Sequence, residues 1–152
     1  MKYRKLGEIV KIKYGKDHKK LADGNIPVYG TGGVMREVDD YLYDGESVLL
    51  PRKGSLNNVM FATGKFWTVD TMFWTEINKN LIIPKYLYYY ISRLDLSRLN
   101  VGSAVPSLTV KILNELCIPV PDLSEQRKIV DKIDKLDKKI EVNNRINANL
   151  VA

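Results

Sequence analysis

The chain has 152 residues, 45% of them hydrophobic, with a formal net charge of +6 and a single cysteine. That length suits one domain with an appended element, and the apolar content excludes a disordered tail. No apolar run approaches the ~18 residues that span a bilayer, and one cysteine excludes an internal disulfide framework.

The first ~120 residues read as short strands separated by turns, with one helix inserted. The start, Met1-Lys2-Tyr3-Arg4-Lys5-Leu6, is basic but leads into no apolar signal core, so the expected location is the cytoplasm. Ile9-Val10-Lys11-Ile12-Lys13 alternates like a half-buried strand and breaks at Gly15. Ile26-Pro27-Val28-Tyr29 predicts a strand that ends in Gly30-Thr31-Gly32-Gly33, a turn that glycine makes cheaply. Ser47-Val48-Leu49-Leu50 predicts a buried strand stopped by Pro51, with Arg52-Lys53-Gly54-Ser55 as an exposed loop. Val59–Ala62 and Phe66–Val69 flank Thr63-Gly64-Lys65 and predict a hairpin, followed by the β-prone Met72–Thr75.

The period then changes to a helical one. Pro84 suits a first helical position, and Leu87, Tyr90, Ile91 and Leu94 recur at helical spacing. That spacing makes the run Tyr88-Tyr89-Tyr90 core packing before it makes it a base-stacking platform. After a Gly102/Ser103/Pro106 loop, Leu116–Pro121 predicts a last strand closed by prolines.

The last thirty residues form a different object. Asp122 with Glu125 three residues on resembles a capping box, with Ser124 as a second candidate cap. Ile129, Ile133, Leu136, Ile140, Asn143, Asn147 and Leu150 then follow at alternating steps of four and three, an unbroken heptad seam. A helix of ~28 residues is ~42 Å long, more than a small domain covers, which favours pairing with another helix over packing on its own domain alone. Asp131–Lys135 and Asp134–Lys138 are acid-before-base pairs that support it locally. Asn143 and Asn147 in the seam imply a chosen partner or register. Lys132 and Lys139 flank one side and Asp137 the other, so like charges meet in a symmetric antiparallel pair and opposite charges in a parallel one. The division expected is a globular domain over 1–121 and a pairing helix over 122–152, in an α+β fold. The domain is expected to carry a twisted, mainly antiparallel β-sheet plus helices.

The positive charge is unevenly placed. Residues 1–20 carry eight Lys/Arg against Glu8 and Asp17, whereas the rest of the chain is close to neutral. A local basic patch attracts a polyanion, of which nucleic acid is the usual one, although a solvated basic terminus is the plain alternative. Lys11, Lys13, Tyr14, Lys16, Lys19, Tyr29, Arg36 and Lys65 offer mixed basic and aromatic contacts. Gly32 and Gly33 offer close backbone approach. Arg52, Lys53 and Ser55 offer a guanidinium, an ammonium and a hydroxyl, while Asn57 and Asn58 can pair with adenine edges.

The residue types needed for catalysis are not assembled. His18 is the lone histidine, short of the partners that a triad or a histidine-based metal site needs. Cys117 lies between apolar residues and is expected in the core. Gly30-Thr31-Gly32 lacks the third glycine and following helix of a dinucleotide site. Asp122 and Glu125 sit within one helical turn, where capping accounts for both. No catalytic residue, metal site or cofactor is assigned.

The sequence resembles the specificity subunits of Type I restriction–modification systems. The resemblance runs through Lys5–Ile9, Ile26–Gly33, Arg52–Ser55, Phe66–Thr71, Tyr86–Tyr90, Gly102–Leu108 and, most specifically, Ile118–Val130. It implies a non-catalytic subunit that reads double-stranded DNA for a methyltransferase subunit and, through the complex, a restriction subunit. S-adenosylmethionine and ATP belong to those partners. Family members usually carry two recognition domains with two helices between them; one domain and one helix imply a half-length form that dimerises on inverted half-sites. The alternative is a truncated or silent cassette that binds a methyltransferase without reading DNA.

Overall fold

The computed structural model describes residues 2–151. In chain order the elements are β1 (Tyr3–Lys5), α1 (Leu6–Ile9), β2 (Val10–Tyr14), β3 (Asp23–Gly30), β4 (Gly33–Val38), β5 (Tyr43–Asp44), β6 (Ser47–Pro51), β7 (Met60–Ala62), β8 (Lys65–Thr68), β9 (Met72–Ile77), α2 (Pro84–Ile91), α3 (Val110–Asn114), β10 (Cys117–Pro119) and α4 (Leu123–Val151). This is the expected α+β class, mainly antiparallel, with the long terminal helix.

The strands form two four-stranded sheets, β2-β9-β6-β7 and β4-β3-β8-β5, and a small β1-β10 pair. All pairings are antiparallel except β3 with β8. The first sheet is covered on both faces, which explains why Ser47–Pro51 is buried at every residue. Val48, Leu50 and Phe73 face a core shared with α1, α2 and α3, whereas Leu49, Met72 and Trp74 face the second sheet and meet Val28, Phe66 and Trp67. Where the β6–β9 ladder stops, two buried hydroxyls extend it. Ser47 Oγ donates to Thr75 O at 2.8 Å, and Thr75 Oγ1 accepts from Val48 N at 3.0 Å. A polar pair therefore survives in an apolar layer because each hydroxyl finds a backbone partner.

Two expectations are corrected. The segments around Gly64 are not a hairpin: β7 pairs with β6, and β8 pairs with β3 and β5 in the other sheet. The chain crosses between sheets because Phe66 and Trp67 fill the intersheet core, a demand that local turn chemistry does not carry. Cys117 is exposed, not core. In the three-residue β10, Ile118 takes the inward face, so its neighbour Cys117 points out beside Lys5.

Helix α2 begins with Pro84 at its first turn, as its missing N–H allows. Its tyrosines divide their roles. Tyr86 is buried and donates to Pro119 O at 2.9 Å, Tyr88 packs on Phe61 with ring centroids 5.6 Å apart, and Tyr89 reaches α4.

Helix α4 starts under the Asp122 cap, whose carboxylate accepts Glu125 N at 2.9 Å. Its 29 residues extend about 43 Å. Only its first turns touch the domain. Gln126 is fully buried: Oε1 accepts from Ile83 N at 2.8 Å, and Nε2 donates to Leu81 O at 3.0 Å and Pro121 O at 2.8 Å. Val130 is buried one turn later. Asp134 accepts from Lys85 rather than closing its expected pair with Lys138.

Replacing Gln126 with leucine keeps the volume but leaves the Ile83 N–H without its acceptor. The expected loss is about 1–3 kcal/mol of unfolding free energy, read by urea denaturation.

Candidate nucleic-acid interface

Four loops meet at one end of the two large sheets. β2 runs into Tyr14–Lys20, β3 turns into β4 through Gly30–Gly33, β6 continues as Arg52–Asn58, and β8 joins β9 through Val69–Thr71. Backbone bonds fasten them to one another. Gly15 N donates to Met72 O at 2.9 Å, Lys16 N to Thr68 O at 2.9 Å, and Val69 N to Tyr29 O at 3.0 Å. Arg52 N reaches Thr71 O at 2.8 Å, and the Trp67 indole N–H donates to Lys16 O at 2.9 Å. Loops so tied present a fixed surface although they carry no regular structure.

Gly15 is the tightest joint. A Cβ there would stand 1.9 Å from Val69 O, so no side chain fits without opening the crossing. Gly33, at φ +117°, lets the β3–β4 turn close in a conformation that L side chains rarely adopt.

A fifth segment supports the Arg52 loop from outside. Gly54 N donates to Pro106 O at 3.0 Å, and Leu108 N to Arg52 O at 2.8 Å. Asn100 shapes this segment, its side-chain oxygen accepting Gly102 N at 2.8 Å and Ser107 N at 2.9 Å. Between the loops lies an open cleft of about 450 Å³ lined by Asp17, His18, Lys19, Gly30, Thr31, Gly32, Met35, Val69, Asp70 and Thr71.

Most of the residues singled out by sequence fall on this rim, though not all are free. The Arg52 guanidinium lies 5.5 Å from the centre of the Tyr14 ring and donates through Nη1 to Asp70 O at 2.9 Å. It is thus held in place with donors to spare. Tyr14, Lys16, Lys19, Lys53, Ser55 and Gly32 are exposed around it, and Gly33 and Tyr29 are half-buried. Tyr29 stands edge-on to Phe66, 6.4 Å between centroids.

Three others are engaged by the fold. Arg36 donates to Asp23 at 2.7 Å, Leu21 O at 3.0 Å and His18 O at 3.3 Å, which pins the lysine-rich loop to β4. Asn57 donates to Asp95 at 3.0 Å and accepts Leu96 N at 2.7 Å. Together with Ser97, it holds the Asp95 carboxyl below the usual carboxylate range, Ser97 contributing most. Asn58 donates to Thr31 O and so joins the Arg52 loop to the β3–β4 turn.

Lys11 and Lys13 are exposed along the β2 edge, leading toward the rim. Lys65 lies elsewhere, at the opposite end of β8 and 4.9 Å from the centre of the Tyr41 ring. Sequence reasoning missed Asp70, whose carbonyl anchors Arg52, and Asn100. It also missed Val34 and Met35, both exposed beside the glycine turn. Asp70 carries no local signal, because its partner Arg52 is distant in sequence, whereas Asn100 bonds to Gly102 and Ser107 within its own loop.

The seam of α4 is open to solvent. Exposure rises from 37% at Ile129 to 78% at Leu150; Leu136 and Ile140 are exposed, Asn143 and Asn147 with them, and Ile133 is half-buried. Val142 and Ile146 are a further exposed apolar pair off the seam, since Val142 stands about 200° around the helix from Ile140. Among the described residues, no group of three or more His, Cys, Asp and Glu is placed to hold a metal ion, and no helix is long and apolar enough to cross a membrane.

The family model for the type I restriction modification DNA specificity domain matches residues 1–152, the whole span that carries the mixed fold, the rim of loops and the long helix. The chain belongs to that family, one of specificity subunits rather than enzymes. It is similar to a putative type I restriction enzyme specificity subunit of Haemophilus influenzae, 32% identical over 117 residues, which are 74% of this chain and 30% of that protein. It is also similar to the EcoprrI specificity subunit of Escherichia coli, 28% identical over 144 residues, 90% of this chain and 36% of that one. Among solved structures, the S subunit from M. genitalium superposes with a TM-score of 0.74 at 16% identity, covering 92% of this chain and 40% of that one. The HsdS subunit from Thermoanaerobacter tengcongensis gives 0.69 at 19% identity, over 95% and 39%. The chain thus spans about a third of the length of these curated relatives.

Gly15→Ala is expected to destabilise the protein by about 1–3 kcal/mol, the range for forced overpacking, with the loss seen in thermal unfolding.

Proposed function

We propose that residues 1–121 read one half of a bipartite DNA target and that residues 122–152 pair with the same helix of a second copy. The observation that carries this reading is the convergence of Tyr14–Lys20, Gly30–Gly33 and Arg52–Asn58 on one rim, at the end of the segment that holds the excess positive charge. Lysines there attract phosphates without regard to sequence, while a guanidinium held over an aromatic ring suits a base edge or a phosphate fork. Arg52 is the side chain assigned to base reading. Lys11, Lys13, Lys16, Lys19 and Lys53 are assigned to the backbone, and Gly32, Gly33 and Ser55 to close approach.

Pairing through α4 gives two-fold symmetry, so the target has inverted half-sites at a fixed gap. Ile129, Ile133, Leu136, Ile140 and Leu150 supply the apolar contact, with Asn143 and Asn147 setting its register. The assembly docks a methyltransferase subunit that carries S-adenosylmethionine, and through it an ATP-dependent restriction subunit, in the cytoplasm. The chain itself contributes recognition and no bond-making step.

A second reading is favoured by one observation: Arg36, Asn57 and Asn58 make their hydrogen bonds within the protein. A module that binds a methyltransferase without reading DNA would have its polar loop residues engaged in this way. Salt separates the two. A DNA reader loses affinity steeply between 50 and 200 mM salt, on the order of 10³-fold or more for several phosphate contacts, whereas an interaction module shows little DNA binding at any salt.

Arg52→Ala should cost about 1–3 kcal/mol at one base position and relax preference there. Lys16→Ala should weaken all sequences alike and lower the salt slope by about 1. Competition titrations with a panel of duplexes check both, and an Arg52→Ala protein with intact preference refutes the base-reading role. Ile133→Asp should convert a dimer to a monomer at micromolar concentration in light scattering; a wild-type monomer there removes the pairing helix.

A further inference from the structure

Helix α4 is anchored along its first three turns and free beyond them. Gln126 binds three backbone groups at the root, Val130 makes an apolar contact, and Asp134 makes the last contact. From residue 135 to 150 every side chain is exposed. That free stretch is about 25 Å long at 1.5 Å per residue.

The three anchors differ in kind. Gln126 holds the root in place. Val130 contributes non-directional burial, which tolerates tilt. Asp134 is directional, because two donors one turn apart on α2 converge on its carboxylate: Lys85 Nζ at 2.9 Å and the Tyr89 hydroxyl. The Tyr89 hydroxyl is pushed above its ordinary range, by burial first and by Asp134 second, while Asp134 is held below its own, by Tyr89 first. Tyrosine therefore remains the donor and the carboxylate the acceptor at neutral pH. The Lys85–Asp134 pair is partly exposed, with 41% and 37% of the side chains accessible. Such pairs contribute little to stability, so what this one supplies is direction.

Direction matters because the free end is a lever. A tilt of about 10° at Asp134 moves the far end of α4 by about 4 Å, more than the ~3.4 Å rise of one base pair. We propose that Asp134, gripped by Lys85 and Tyr89, is a positioning residue that fixes the angle at which α4 leaves the domain, and with it the gap between the half-sites that a pair of these chains accepts. The gap rests on the pairing through α4 proposed above; the angle does not.

Two measurements on the full chain test it, with Asp134→Ala and with Tyr89→Phe, which removes only the hydroxyl. The first is the distance between spin labels on Glu37 and Asn149, in a Cys117→Ser background diluted with unlabelled chain. The wild type should give one narrow distribution, and both variants one that is broadened or displaced by several ångströms. The second is selection from a library of random duplex DNA. The wild type should enrich inverted half-sites at a single gap, and the variants the same half-sites with gaps spread over two or more base pairs. Unchanged label distances in both variants overturn the proposal, as does a spread of gaps with altered half-sites, which would mark a domain defect. If the wild type enriches half-sites without a mate, the pairing reading and the gap fall together, while the label distances still decide the angle.

Discussion

The side chain of Gln126 joins the two parts of this protein. It is fully buried and makes three hydrogen bonds to backbone groups that no strand or helix satisfies: Ile83 N, Leu81 O and Pro121 O. A buried amide is costly unless its donors and acceptors are met, so this arrangement is defined in geometry as well as in energy. It ties the approach to α2, the end of β10 and the first turn of α4 at one point. The direction of the helix relative to the rim of loops follows from that point and from Asp134 two turns later.

The rim obeys a similar economy. Its loops come from both sheets, and backbone bonds between them leave few conformations open. The polar side chains divide between building the surface and decorating it. Arg36, Asn57 and Asn58 tie loops together, whereas Lys16, Lys19 and Lys53 extend into solvent. Arg52 does both, since one guanidinium nitrogen meets Asp70 O and the rest stays available above Tyr14. A side chain held on two sides loses less freedom on contact with a ligand than a loose one.

Helix α4 shows the same division around its circumference. Gln126, Val130 and Asp134 face the domain, and the seam that starts at Ile129 lies beside that face. Asp137, on the flank toward the domain, borders a hollow that Lys85 and Tyr89 also line, whereas Lys132 and Lys139 lie on the open flank. The balance of flanking charges read from the heptad alone therefore changes, because one flank is turned toward the helix's own domain. Val142 and Ile146 widen the apolar surface toward the free end, which a single two-helix seam does not account for.

Much of this was legible in the residues. Alternation located β2, the apolar run β6, Pro84 the start of α2, Asp122 the cap of α4, and the heptad steps its open seam. Each signal is local: a period, a cap or a turn residue states its structure within a few positions. Tertiary structure decided what depends on partners distant in the chain. It sent β8 to the second sheet, turned Cys117 outward, engaged Arg36 and the two asparagines, and brought Asp70 under Arg52. It also directed Asp134 to Lys85 and Tyr89, although a lysine four residues on offered an equally good local partner. A side chain's free hydrogen-bonding groups are known only when every neighbour is in place, and those neighbours come from pairings that the local pattern does not encode.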